Sequence, residues 1–229
     1  MELNFLGKGS AYNPVMKNTS AYFIYDNNFF LLDCGESVFE QIHDFIELRD
    51  CEQIYVLITH LHADHIGSLG SMISYCRYVL DRRIHIIHPD TSVIELLTLL
   101  GINKENYIYQ SELPADLKDI KVKAIAVDHV PDMSCFGFLI TVGIETIYYS
   151  GDASGIPGMI LTHFLSGEIN RLYQDTSTSR SDHPTHCYIG DLERVIPPAK
   201  RSLVYCMHLD GDVTGLLLSK GFRIANVKE

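Results

Sequence analysis

No stretch of this 229-residue chain carries three basic residues in a row, and acidic residues outnumber basic ones 29 to 18, for a formal net charge of −11. Such a surface offers a polyanionic backbone little to bind, so a large structured RNA is not an expected partner. No Cys-x-x-Cys pair occurs among Cys34, Cys51, Cys76, Cys135, Cys187 and Cys206, and these read as free thiols. No run reaches the ~18 apolar residues that a spanning helix needs, so no membrane partner is expected. The chain enters an apolar strand within two residues of its start, which leaves no room for a cleavable leader, and a cytoplasmic location follows as the expectation. Linkers rich in Pro, Ser or Gly are missing and no internal repeat is visible. One domain over 1–229 is expected.

What the chain does have is a dense cluster of metal-competent side chains. His60-Leu61-His62-Ala63-Asp64-His65 places three imidazoles and a carboxylate directly after the apolar, β-branched run Ile54 to Thr59, which reads as a buried strand. A turn at the carboxyl end of a strand can aim several side chains at one point. Imidazole with carboxylate suits zinc, and also manganese or iron. Three further strand-like runs each end in one such residue: Ile120 to Val127 before Asp128-His129, Ile144 to Ser150 before Gly151-Asp152, and Ser202 to Met207 before His208. Helices are expected over Glu36 to Arg49, Ile66 to Leu80 and Val93 to Leu100, the last with Asp90 or Thr91 as cap and Gly101 as stop. Hydrophobic residues make up 46% of the chain, enough to fill a sizeable core. Tyr107-Ile108-Tyr109 and Tyr148-Tyr149 suit core packing, or a stacking or dimer surface. Alternation along the last strand puts Cys206 on the face of His208.

The order of these motifs resembles the metallo-β-lactamase superfamily, whose signature is His-x-His-x-Asp-His followed by a His, an Asp and a final His. The resemblance runs from Leu6-Gly7-Lys8-Gly9-Ser10 to His208 and implies an α/β fold, the αββα sandwich. Carried over by position, it implies two divalent metal ions, zinc first among the candidates. His60, His62 and His129 would hold one, Asp64, His65 and His208 the second, and Asp152 would bridge them. Asp33, in Leu31-Leu32-Asp33-Cys34-Gly35, matches a family aspartate that supports the ligand loop from behind, although it also suits a plain turn before Gly35.

Between Asp152 and His208, Gln174-Asp175-Thr176-Ser177 and Asp182-His183-Pro184-Thr185 are similar to two motifs of the ribonuclease Z branch, with Asp for its Glu and Pro for its Ser. The resemblance implies catalytic roles for Asp64, Asp175 and His183, with His183 as general acid oriented by Asp175. His186 competes for that role, and a polar loop with a chance histidine would look the same. Ribonuclease Z proteins of the bacterial type carry a transfer-RNA arm between the third histidine and the bridging aspartate. Here 22 residues separate His129 from Asp152, filled by two short strand patterns, Cys135 to Val142 and Ile144 to Ser150.

The expectation is therefore a metal-dependent phosphodiesterase. A hydroxide held between two ions would attack a small phosphodiester such as a cyclic nucleotide, and the relatives of this kind imply a homodimer. The alternatives are a ribonuclease Z-type RNA endonuclease, a lactone, thioester or β-lactam hydrolase using the same ions, and a metal-loaded domain that binds a nucleotide without cleaving it.

Overall fold

Strands covered on both faces read as unbroken apolar runs, and the chain opens with such strands. The computed structural model describes residues 1–182 and 184–227. Strands β1 (Asn4–Gly7), β2 (Ser20–Tyr25), β3 (Asn28–Leu32), β4 (Gln53–Leu57), β5 (Ile84–Ile87) and β6 (Tyr107–Gln110) form one sheet in chain order. Strands β7 (Ile120–Ala126), β8 (Phe136–Val142), β9 (Glu145–Tyr149), β10 (Arg171–Asp175), β11 (Val204–Met207) and β12 (Arg223–Ile224) form the second, also in chain order. In each sheet the first three strands are antiparallel and the remaining ones join in parallel.

Side-chain alternation divides each strand between two layers. Phe29 and Leu31 of β3 pack with the helices, whereas Phe30 and Leu32 pack into the second sheet. The helix-side core takes Val38 and Ile42 from α1 (Val38–Ile42) and Leu48 from α2 (Ile46–Asp50). It also takes Ile66 from α3 (Ala63–Ile66), Met72 and Cys76 from α4 (Leu69–Tyr78), and Leu97 from α5 (Ser92–Leu99). On the far face, Leu172, Val204 and Cys206 pack against Phe164 of α6 (Gly158–Ser166), Leu192 of α7 (Ile189–Val195) and Leu217 of α8 (Thr214–Ser219). The layer order is αββα, with Phe30, Leu57, Phe138 and Tyr149 among the residues in the shared centre.

Three expected elements differ in extent. The apolar stripe over Glu36 to Arg49 is two short helices, because Phe45 turns extended (φ −62°, ψ 128°) and lays its ring edge-on to Tyr22. The helix expected from Ile66 is interrupted at Ser68, whose hydroxyl is tied to the Gly35 carbonyl and to the Phe39 N–H. The last strand starts at Val204, since Pro198–Leu203 forms a 3₁₀ helix. Tyr107, Tyr148 and Tyr149 are buried, and all six cysteines are free and buried. Among the described residues, no helix is long and apolar enough to cross a membrane.

Candidate metal centre

The carboxyl ends of β3, β4, β7, β9, β10 and β11 supply the candidate residues, and each chain reversal there has a local cause. After β9 the chain turns through Gly151 at φ +58°, and Asp152 follows. After β3 and β11 the turning residues are Asp33 (φ +62°) and His208 (φ +56°) themselves, in a left-handed conformation that non-glycine residues seldom adopt. That reversal ends the strand alternation at Met207. Cys206 consequently packs in the helix-side core while His208 enters the cleft. After β4 the chain crosses Ile58 to Leu61 and starts α3, and Gly35 lets the backbone approach closely: a Cβ there would lie 1.9 Å from the Asp64 carbonyl oxygen.

Among the described residues three sets of donors have their ligand atoms within 4.8 Å of one another: two that match the sequence expectation, and a third, Asp152, Asp175, His186 and His208, that shares Asp152 and His208 with the second. In the first, His60 Nε2 and His129 Nε2 lie 3.0 and 3.3 Å from His62 Nδ1. In the second, His65 Nε2 lies 3.3 Å from Asp64 Oδ2 and 3.2 Å from Asp152 Oδ1, and His208 Nε2 lies 3.2 Å from Asp64 Oδ2. Asp152 stands between the groups, its Oδ2 3.9 Å from His60 Nε2, 3.8 Å from His129 Nε2 and 3.3 Å from His208 Nε2. His65 Nε2 and Asp152 Oδ1 are buried without a hydrogen-bond partner among the described residues. Lone pairs converging this closely in a buried place are stabilised by a cation, and the mixed imidazole and carboxylate set fits a divalent metal.

The surrounding contacts fix the rings. Asp33 is buried and accepts hydrogen bonds from the Thr59 N–H (2.8 Å), His65 Nδ1 (2.9 Å) and the Tyr149 hydroxyl (3.4 Å). His129 Nδ1 donates to the Thr185 carbonyl at 2.7 Å. Asp175, also buried, accepts from the Ala153 N–H at 3.0 Å and from His186 Nδ1 at 2.8 Å, and its other oxygen is 3.7 Å from His208 Nδ1. The His186 ring stacks on His208 with centroids 4.9 Å apart and lies 3.9 Å from Asp152 Oδ2. His186 therefore hydrogen-bonds Asp175, and His183 lies outside the described residues. Thr59, unremarked in the sequence as part of a β-branched run, touches Asp33 and His60 as well.

Electrostatics differ between the groups. Burial, and then the charge of His65, drive the His60 pKa well below its ordinary value, and burial also lowers that of His129. Both are neutral and carry a lone pair for a metal. Burial opposes a charge on His65 and His208, but carboxylates prevail: Asp152 and Asp33 raise His65 well above the usual range, and Asp152 with Asp175 and Asp64 raises His208 to about 10. Asp64 and Asp152 are held far below the usual carboxylate range, against their burial, by His208 and His65. A metal entering this second group takes the place of those protons. Burial also works against a charge on His186, and the Asp175 hydrogen bond overcomes it, so its pKa is raised.

The groups open into a cleft of about 450 Å³. His62, Asp64, His129, Asp152, His186 and His208 line its floor, and the loop Ser10 to Tyr12, Ser177 and Asp210 form part of its rim. No lysine or arginine occurs among the described residues that line it.

Known proteins resemble the chain at three levels. The Anti-Pycsar protein Apyc1 of Bacillus phage BSP38 is 40% identical over 98 residues, a match spanning 42% of this chain but only 38% of that protein's length. The protein of the same name from Paenibacillus sp. (strain J14) is 28% identical over 230 aligned positions, 93% of this chain and 91% of the relative. In three dimensions, the metallo-β-lactamase fold protein YhfI of Bacillus subtilis superposes with a TM-score of 0.75 at 15% identity, covering 99% of this chain and 95% of that one. The αββα sandwich is thus the metallo-β-lactamase fold. A family model described as Anti-Pycsar protein Apyc1 matches residues 1–223, and the chain belongs to that family.

Proposed function

We propose that this protein is a metal-dependent phosphodiesterase that opens a small cyclic nucleotide, with zinc at both donor groups. The reading rests on one arrangement above all: His186, pinned through Nδ1 to Asp175 at 2.8 Å, stands 3.9 Å from the Asp152 carboxylate that faces both groups. Hydrolysis of a carbonyl ester by the same fold needs no such acid-and-histidine pair beside the donors; departure of an alkoxide from phosphorus is eased by one. Membership of the Anti-Pycsar protein Apyc1 family supports a small cyclic nucleotide as the substrate class.

Bound at the two groups, divalent ions supply Lewis acidity, lowering the pKa of water and neutralising charge on the phosphoryl oxygens. The chain's own residues do the rest. His60, His62 and His129 would hold one ion, Asp64, His65 and His208 would hold the other, and Asp152 would serve both. Asp33 keeps the His65 ring in place. With Nδ1 committed to Asp175, Nε2 is the nitrogen left with which His186, a residue of the cleft lining, can carry a proton to the leaving ribose oxygen as general acid. Its raised pKa keeps that proton available near neutral pH. A cleft lined, among the described residues, without lysine or arginine suits a substrate with one diester charge better than a polyphosphate or a long RNA strand. The family relationship carries the expectation of a homodimer, which light scattering tests.

The test is turnover of metal-loaded protein on 2′,3′- and 3′,5′-cyclic nucleotides beside bis-p-nitrophenyl phosphate, with His62→Ala as the blank. His186→Ala and Asp175→Ala are each expected to lower kcat by roughly 10²–10⁴-fold with the ions still bound. His183→Ala is made beside them: a loss of that size there, with His186→Ala close to native, would move the acid role to His183. Silence of the native, metal-loaded protein on every diester would overturn the reading.

A further inference from the structure

Thr59 precedes the ligand turn, and its hydroxyl lies among three polar groups. Oγ1 is 3.0 Å from each carboxylate oxygen of Asp33, 3.0 Å from His60 Nδ1 and 3.5 Å from His65 Nδ1. All four residues are buried.

A hydroxyl has one proton to give, and an ionised carboxylate can only accept. The Thr59 proton therefore goes to Asp33, and toward His60 Nδ1 the hydroxyl can act only as acceptor. His60 must then carry its proton on Nδ1, which leaves the lone pair of the neutral ring on Nε2. That is the nitrogen that faces His62 Nδ1 and Asp152. The same carboxylate accepts directly from His65 Nδ1 at 2.9 Å, which commits the His65 lone pair to Nε2, facing Asp64 and Asp152.

We infer that Thr59 is a positioning residue, and that through it the single carboxylate of Asp33 sets the tautomer of one ligand in each of the two donor groups: His65 directly, and His60 by way of the Thr59 hydroxyl. The inference rests on the reading of these histidines as metal ligands, and needs no assumption about the substrate. Its consequence is an asymmetry. Loss of the Thr59 hydroxyl weakens only the His60 group, whereas loss of the Asp33 charge weakens both.

The experiment is zinc titration of metal-free protein against a chromophoric chelator, with bound ions counted and folding followed by circular dichroism. Native protein is expected to bind two ions. Thr59→Val is expected to lose about 10–100-fold in affinity for one ion and to hold the other within about threefold, the usual effect of removing a hydrogen bond behind a ligand. Thr59→Ser, which keeps the hydroxyl, is expected to restore both, and Asp33→Asn to weaken both. Should the valine variant fail to fold, Thr59→Ala removes the hydroxyl without setting a methyl against the carboxylate. Two ions bound with native affinity by a folded Thr59→Val or Thr59→Ala variant, or equal weakening of both, would overturn the inference. Failure of the native protein to bind any divalent ion would instead overturn the metal reading beneath it.

Discussion

Gly151 stands before Asp152 at φ +58°, and a Cβ added there would lie 2.8 Å from both the Phe136 carbonyl oxygen and the Thr59 Cβ. Backbone strain and collision act together, so Gly151→Ala is expected to destabilise the protein by about 2–3 kcal/mol, read as a lower denaturation midpoint at unchanged slope. A change below about 0.5 kcal/mol would show that the turn has room to shift. Of the residues around this turn, those at strand ends were legible in the sequence, because an apolar run followed by His or Asp marks a side chain at a sheet edge. Thr59 was not legible, since a threonine inside a β-branched run looks like any other strand residue until Asp33 is seen beside it. The partner of Asp175 was left open between His183 and His186 for a similar reason: the stretch from Thr176 to Thr185 is polar and aperiodic, so spacing says nothing about which ring points inward.

Helix α5 shows how an element end adds a pH-dependent increment to stability. Asp90 accepts hydrogen bonds from the Ser92 N–H (2.9 Å) and the Ser92 hydroxyl, and so does the capping, although Thr91 occupies the cap position. Burial disfavours its charge, but these bonds prevail and hold its pKa below the usual 3.8. A depressed carboxylate stabilises the folded state fully above its unfolded pKa, and the increment fades as pH falls through the lower folded value. Asp90→Ala is thus expected to cost about 1 kcal/mol at pH 7 in urea melts and to converge on native stability below the folded pKa. A gap that persists in acid would assign the effect to lost packing. Strands β4, β8 and β9 could be placed from sequence because each is a run rich in apolar and β-branched residues, unbroken in β4, which is buried from Ile54 to Leu57. The stripe from Glu36 to Arg49 misled for the opposite reason: its apolar positions keep helical spacing through Phe45, and only the tertiary contact with Tyr22 reveals the break.

Across the whole molecule, the donors divide between the two sheets. His60, His62, Asp64 and His65 follow β4 of the first, whereas His129, Asp152 and His208 follow strands of the second. Metal bound to both sets joins the sheets at their shared edge, so its binding free energy adds to folding stability. At a free ion concentration a thousand times Kd the increment is about 4 kcal/mol. Removal of the ions by a chelator is expected to lower Tm by roughly 8–16 °C for a chain of this size, and an unchanged Tm after verified metal loss would show that the seam holds without them.

The repeated strand order of the two sheets has a consequence for how such a protein can change. The turn after β4 of the first sheet carries four donors in six residues and tolerates little variation. Strand β10 of the second ends in Asp175, and the segment that follows contributes the cleft-rim Ser177 and His186, none of them among the seven donors named from sequence. Heritable change in that segment can alter what the cleft accepts while the seven donors stay in place, so new specificities are expected to arise from variation between Thr176 and Tyr188 against a constant first half.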